Sequence, residues 1–180
     1  MDIKRYILFA RKLHFMVLKD GFARADFLRK KRLLAGIGKN VYFYSRIFPP
    51  DPKLLKLHDN VCIATNVRFL GHDRCDIMLS GMFGKTYGKK YGCIEVEDNV
   101  FIGSDCVILP GVRIEKNTIV GAGAVVTRDL PSGFVWGGVP ARKIGSFDEF
   151  VAKRKDELNP EKDPETLWKI FNKQRSGDKH

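Results

Sequence analysis

Reading every sixth residue from Val96 returns Val96, Ile102, Ile108, Ile114, Val120 and Val126, β-branched aliphatics at every position. An α-helix repeats its apolar face about every 3.6 residues and an ordinary strand about every 2, so neither buries this series on one side. A second register agrees, since Val100, Cys106, Val112, Thr118 and Ala124 are all small or medium side chains two residues before an aliphatic. Gly103 and Gly121 follow their aliphatics directly, on the turn side of the unit. Period six suits the short parallel strands of a β-helix. Each hexad is then one strand and one turn, and its aliphatic stacks inward on the equivalent from the next coil.

The same register runs earlier in broken form, through Ile37 and Phe43 and then Leu57, Ile63 and Phe69. With three hexads to a coil, about four coils are expected, and both interruptions fall between coils. Residues 49–56, containing Pro49-Pro50-Asp51-Pro52, bulge out after the first coil, and residues 70–93 make a long excursion after the second. A packed solenoid has no need of long loops, so they are where function is expected.

The ends read as helices. Residues 2–19 place Ile3, Ile7, Ala10, Leu13 and Val17 on one face, and a second basic helix is expected over 22–34. Ser146-Phe147-Asp148-Glu149 has the form of a capping box opening a helix to about Leu158, and Asp163-Pro164-Glu165 starts another. The expected organisation is therefore basic helices over 1–35, an all-β core of stacked coils over 36–145, and helices over 146–180. Helical caps would cover the open sheet edges of the core.

The net charge of +11 is uneven: residues 1–35 hold ten basic and three acidic side chains, 36–145 fourteen and ten, and 146–180 eight of each. An aliphatic content this high, with thirteen Phe, excludes a disordered chain. No run approaches the roughly 20 apolar residues of a membrane span. Only five apolar residues separate Arg5 from Arg11-Lys12, too few for a signal peptide, so a cytoplasmic protein with free thiols is expected.

The run 96–145 strongly resembles the hexapeptide-repeat acyltransferases. The resemblance is carried by ValGluAspAsnValPheIleGlySer, IleLeuProGlyValArgIle, IleValGlyAlaGlyAlaValValThrArgAsp and GlyValProAlaArgLysIle. It looks most like the branch of galactoside, maltose, xenobiotic and capsular-sugar O-acetyltransferases. The resemblance implies a left-handed parallel β-helix, a homotrimer with active sites between subunits, and acetyl-CoA as cosubstrate.

Moving an acetyl group from a thioester to a hydroxyl needs a base for the hydroxyl proton and a grip on CoA. Of the four histidines, His14 lies in the N-terminal helix, His180 is the last residue and His58 stands at a hexad turn, read as solvated. His72, in Gly71-His72-Asp73, opens the excursion at the place where the family has its catalytic histidine, after Asn66-Val67-Arg68-Phe69-Leu70. Asp73 is a candidate to orient the imidazole or meet the acceptor, and Asn66 matches an acceptor-contacting position, although a turn asparagine fits there too. For CoA the resemblance implies Ser104, Ala122, Thr127, Arg128 and Arg142. Ser104 and Ala122 also suit plain hexad packing, Arg142 also suits a solvated surface, and Lys143 could share its role. Cys75 with His72 spells His-x-x-Cys, but two ligands make no metal site, so none is expected.

The leading expectation is an acetyl-CoA-dependent O-acetyltransferase acting by direct transfer on a sugar or polysaccharide-precursor hydroxyl, with His72 as general base. Within enzymes, the alternative is N-acetylation of an amino sugar or sugar nucleotide. A non-catalytic basic module would explain the charge, yet no aromatic stacking platform or recognition helix accompanies it, so no nucleic acid is expected. Residues 2–19 also have the character of a surface-lying amphipathic helix, which would bring the enzyme to the inner membrane surface. Covering the solenoid end is the competing role for that helix.

Overall fold

The structure, a computed structural model, describes residues 3–155 and 162–177. The chain divides into two compact units, 1–148 and 149–180.

Two helices lead in, α1 (Ile3–Val17) and α2 (Gly21–Lys30). Short strands follow: β1 (Gly36–Ile37), β2 (Tyr42–Phe43), β3 (Leu55–Leu57), β4 (Val61–Ile63) and β5 (Arg68–Phe69). The excursion then carries a helix, α3 (Cys75–Phe83). Six strands run on after it: β6 (Ile94–Val96), β7 (Val100–Ile102), β8 (Val107–Ile108), β9 (Arg113–Ile114), β10 (Thr118–Val120) and β11 (Val125–Val126). A hairpin of β12 (Phe134–Gly137) and β13 (Arg142–Ser146) closes the series, and α4 (Phe147–Lys153) and α5 (Pro164–Gly177) follow.

The strands are dealt in rotation onto three sheets. One holds β1, β3, β6 and β9, the second β2, β4, β7, β10 and β12 with β13 at its edge, and the third β5, β8 and β11. All pairings are parallel except β12 with β13. The hexad positions are the rungs. Ile37, Leu57, Val96 and Ile114 align across the first sheet. Phe43, Ile63, Ile102, Val120 and Trp136 align across the second, and Phe69, Ile108 and Val126 across the third. All of these except Ile37 are buried and form one core, because stacking like on like lets each aliphatic fill the space over its equivalent.

The corners are set by polar residues that tolerate left-handed backbone. Asn40, Asn60, Asn99 and Asn117 all have φ between +50° and +58°. Their amides form a ladder, Asn40 donating to Asn60 at 2.7 Å, Asn60 to Asn99 at 2.8 Å and Asn99 to Asn117 at 2.9 Å. A short polar side chain is the least strained non-glycine choice at such a turn.

The N-terminal end of the stack is closed by α2, whose Ala25, Phe27 and Leu28 are buried with Phe15 of α1. Arg24 is wholly buried. Its guanidinium donates to the carbonyls of Phe43 and Tyr44 at 3.0 Å each and of Leu18 at 2.6 Å. It lies over the Tyr44 ring at 5.3 Å, and burial pulls its pKa below the ordinary value. β2 is the last strand of its sheet, so this guanidinium satisfies main-chain acceptors that an edge leaves open.

Three expectations about the helices change. The second helix ends at Lys30, where the chain turns through Arg32 at φ +48°. The apolar face read on α1 is turned outward, with Ile7, Leu13 and Val17 exposed. The excursion, read as loop, contains α3. In the C-terminal part, α4 starts directly after β13, and the stretch expected to extend it to Leu158 lies partly outside the described residues. α5 begins as expected, Asp163 accepting from the Thr166 N–H at 2.9 Å, which holds its carboxyl below the usual range.

Candidate functional site

The excursion leaves the third sheet at Gly71 and returns over residues 90–92. Its stem is antiparallel: the Gly92 N–H donates to Gly71 O at 2.9 Å, the Asp73 N–H donates to Lys90 O at 3.1 Å, and His72 bridges Tyr91. A Cβ on Gly92 would stand 2.4 Å from the Gly111 nitrogen, so only glycine lets the returning strand lie on that turn. His72 is thereby fixed at the root of the excursion, about one-fifth exposed, its ring 5.6 Å from that of Tyr91.

His72 Nδ1 contacts Asp51 Oδ2. Asp51 comes from the Pro49-Pro50-Asp51-Pro52 bulge, held by a 3-10 turn (Pro52–Leu54) in which the Leu54 N–H donates to Asp51 O at 2.9 Å. A Cβ on Gly71 would fall 2.7 Å from the Asp51 Cβ, so the glycine before His72 makes room for the carboxylate. The two irregular segments of the coil thus meet at one imidazole. The adjacent Asp73 does not orient it. Its carboxylate accepts from the Cys75 N–H at 3.2 Å, at the start of α3. Asp51 carried no motif of its own in the sequence; the available signal was an aspartate locked between prolines in the one other break of the repeat.

A neutral imidazole whose Nδ1–H is held by a carboxylate keeps Nε2 as an acceptor, which is the arrangement a general base requires. Thiol chemistry is disfavoured at the core: burial pushes the Cys62 and Cys106 thiols up, and Cys106 donates to Gly121 O at 3.1 Å. All four cysteines are free, and among the described residues no group of three His, Cys, Asp or Glu could hold a metal ion.

The remaining candidates lie on the turns at the two ends of the third sheet and on β13 at the edge of the second. Ser104 and Ala122 occupy equivalent places on the turn leading into the third sheet, with the Gly123 N–H on Ser104 O at 2.8 Å and the Asp105 N–H on Thr65 O at 2.9 Å. Ala122 is exposed, and a Cβ on Gly103 would meet the Ala122 nitrogen at 2.5 Å, so small side chains and bare backbone form this corner. A corner of that kind can offer main-chain groups to an extended arm such as pantetheine. Thr127 and Arg128, both exposed, leave the other end of the same sheet. They lie two strands from Leu70-Gly71 in the order β5, β8, β11, about 10 Å at the usual spacing. Arg142 is exposed on β13, next to Ala141, whose N–H donates to Val125 O at 2.9 Å. Lys143 is committed elsewhere, its Nζ 3.5 Å from the Phe134 ring centroid. Asn66 sits at a turn with φ +56° and donates to Asp105 Oδ1 at 3.2 Å, a geometry that serves the turn itself.

His58, read as solvated, is instead part of a charged row across the outer face of the first sheet. Its Nε2 lies 2.8 Å from Glu95 Oε1, beside Lys56 Nζ at 2.9 Å, while Arg113 Nη2 reaches Glu95 Oε2 at 3.0 Å. The hydrogen bonds from Lys56 and His58 lead in holding the Glu95 carboxyl down at about 2.

The repeat, the parallel stack and the His72 root can be set beside known proteins. Residues 94–128 match the bacterial transferase hexapeptide (six repeats). The galactoside O-acetyltransferase of Escherichia coli (strain K12) is 36% identical over 116 residues, covering 63% of this chain and 54% of that protein. The 2,3,4,5-tetrahydropyridine-2,6-dicarboxylate N-acetyltransferase of Clostridium perfringens (strain SM101 / Type A) is 52% identical over 60 residues, 33% of this chain and 25% of that protein. Among solved structures, the maltose O-acetyltransferase from Clostridium difficile 630 superposes with a TM-score of 0.59 at 26% identity, covering 79% of this chain and 85% of that one. The repeat matched over residues 94–128 is the one that bacterial hexapeptide transferases carry. The chain is similar to the galactoside and maltose O-acetyltransferases, and it spans about half the length of the first of these.

Proposed function

We propose that the chain is an acetyl-CoA-dependent O-acetyltransferase acting on a sugar or polysaccharide-precursor hydroxyl. The observation that carries this reading is the His72–Asp51 pair at the root of the excursion. Asp51 holds the Nδ1–H, and Nε2 takes the acceptor hydroxyl proton as the oxygen attacks the thioester carbonyl. The new C–O bond forms, the tetrahedral centre collapses with loss of the C–S bond, and the imidazolium returns its proton to the departing thiolate. No acyl group rests on the protein.

In this reading the cosubstrate lies along the third sheet. Its pantetheine arm runs past Ser104 and Ala122, and its phosphates lie towards Thr127, Arg128 and Arg142. Asn66 and Asp73 face the acceptor. The coil is left-handed with about four turns, and the domain limits are 1–35, 36–145 and 146–180. Three subunits associate with the sites between them. Exposure of Ile77, Met78, Met82 and Phe83 on α3 in the single chain supports an excursion covered by a neighbour. The cytoplasm supplies acetyl-CoA. N-acetylation stands as a second reading on the strength of the N-acetyltransferase similarity over 60 residues.

The test is His72→Ala with acetyl-CoA and a panel of sugars. Turnover is expected to fall about 10²–10⁴-fold with CoA binding retained, and near-normal turnover overturns the assignment. Release of the product's acetyl group by mild base identifies an ester, and resistance identifies an amide.

A further inference from the structure

α1 is apolar on two opposite sides. Phe15 is wholly buried and Leu18, just past the helix end, packs on the core. Tyr6, Phe9, Leu13, Met16 and Val17 recur at intervals of three and four and are all exposed, Phe9 at 66%, Leu13 at 54% and Val17 at 70%. A helix whose only task is to cover the solenoid end needs the first face, and nothing in that task explains the second.

The charge on α1 itself has one sign, and the N-terminal 35 residues hold ten basic and three acidic side chains. Residues 3–19 contain no acidic side chain. Lys12 lies on the helix between Phe9 and Met16, Arg11 is exposed, and Lys19 follows the helix end with its side chain 86% exposed, 3.8 Å from the Asp20 carboxylate. At and just past the end of α2, Lys30, Lys31 and Arg32 are exposed as well. Pairing the stripe with its own copy would bring these cations together, a cost that an anionic surface reverses. Two of the five stripe residues are aromatic, and Phe22 at the start of α2 is also exposed. Large apolar side chains flanked by Lys and Arg are the composition of a helix that lies in a bilayer interface. No helix among the described residues is long and apolar enough to cross a membrane.

We propose that the outward stripe of α1, with its flanking basic residues, docks the protein flat on an anionic phospholipid surface. This goes beyond the acetyl-transfer reading and does not depend on it. Binding buries the stripe at the level of the headgroups, and the lysines and arginines lie against lipid phosphates.

The full-length chain is floated with vesicles of phosphatidylcholine alone and of phosphatidylcholine mixed with phosphatidylglycerol. Binding is expected only to the mixed vesicles, to weaken with added salt, and to fall roughly tenfold or more in Phe9→Ser/Leu13→Ser. Both substituted side chains are exposed, so the fold is retained, which a melting curve checks. Equal flotation of the double variant overturns the proposal. So does absence of flotation by the native chain, and if sedimentation then shows that the variant changes oligomeric state, the stripe is a contact between subunits.

Discussion

Residues 94–128 and residues 70–93 are adjacent in the chain and opposite in construction. In the first, every sixth side chain points inward and is buried, and each strand finds its partner at a fixed offset along the chain. In the second, no residue of α3 is buried, although the helix is among the most apolar segments of the protein. Repetition satisfies the backbone and the core without help from any distant residue. The excursion is fixed only at its stem, by Gly71, His72, Asp73 and their partners at 90–92. The stack and the proposed site therefore lie in different stretches, and substitutions should separate stability from activity.

The sharpest separation is Ile102→Ala against Met82→Ala. Ile102 is stacked between Ile63 and Val120 and fully buried, so truncation leaves a cavity inside the stack and should cost about 2–5 kcal/mol. Met82 is exposed in the single chain, and its truncation should change the unfolding free energy of the separated subunit by no more than about 0.5 kcal/mol. Urea unfolding of both variants measures this. Equal losses would mean that α3 belongs to the core and that the contrast is wrong.

Asp51 tests whether the two breaks in the repeat act as a unit. In Asp51→Asn the side chain still fits beside Gly71 but no longer carries the charge that, in the proposed mechanism, stabilises the imidazolium. A fall in kcat of roughly ten- to a hundredfold is expected, with KM for acetyl-CoA unchanged and recovery in part by Asp51→Glu. A change in KM alone, or a melting point lowered as far as that of Ile102→Ala, would make Asp51 a structural residue of the bulge.

The legibility of the sequence follows the same division. The hexad period identified the inward residues from Leu57 to Val126 and located both interruptions, because a solenoid core depends on neighbours at fixed sequence offsets. His72 was legible as the histidine at the root of a long insertion. Its partner was not: Asp51 lies twenty-one positions upstream and meets it only because bulge and excursion leave the coil on the same side. The adjacent Asp73 was the natural expectation, and the backbone turn into α3 claims its carboxylate instead. The helix α3 was missed because its apolar residues have no polar face to define a period. Arg24 was missed as a cap because the carbonyls that it satisfies belong to residues 18, 43 and 44.

The outer face of the first sheet gives the smallest effect and a defined pH window. Glu95 is held at about 2 in the folded chain, against an unperturbed 4.5, by Lys56 and His58 first and Arg113 after them. Because the folded value is the lower one, its contribution is complete above about 4.5 and is lost as pH falls from there through about 2. Glu95→Gln should therefore lower the melting temperature slightly at neutral pH and flatten its decline across that acid interval. Lys56 and Arg113 are half exposed, so added salt should shrink the difference between the two proteins. The same substitution should leave acetyl transfer unchanged, since Glu95 lies on the first sheet and His72 at the end of the third. Melting curves in low and high salt, recorded from neutral to acid pH, measure this. Parallel declines for the two proteins would remove Glu95 from the stabilising charges and leave the rungs alone to account for the sheet.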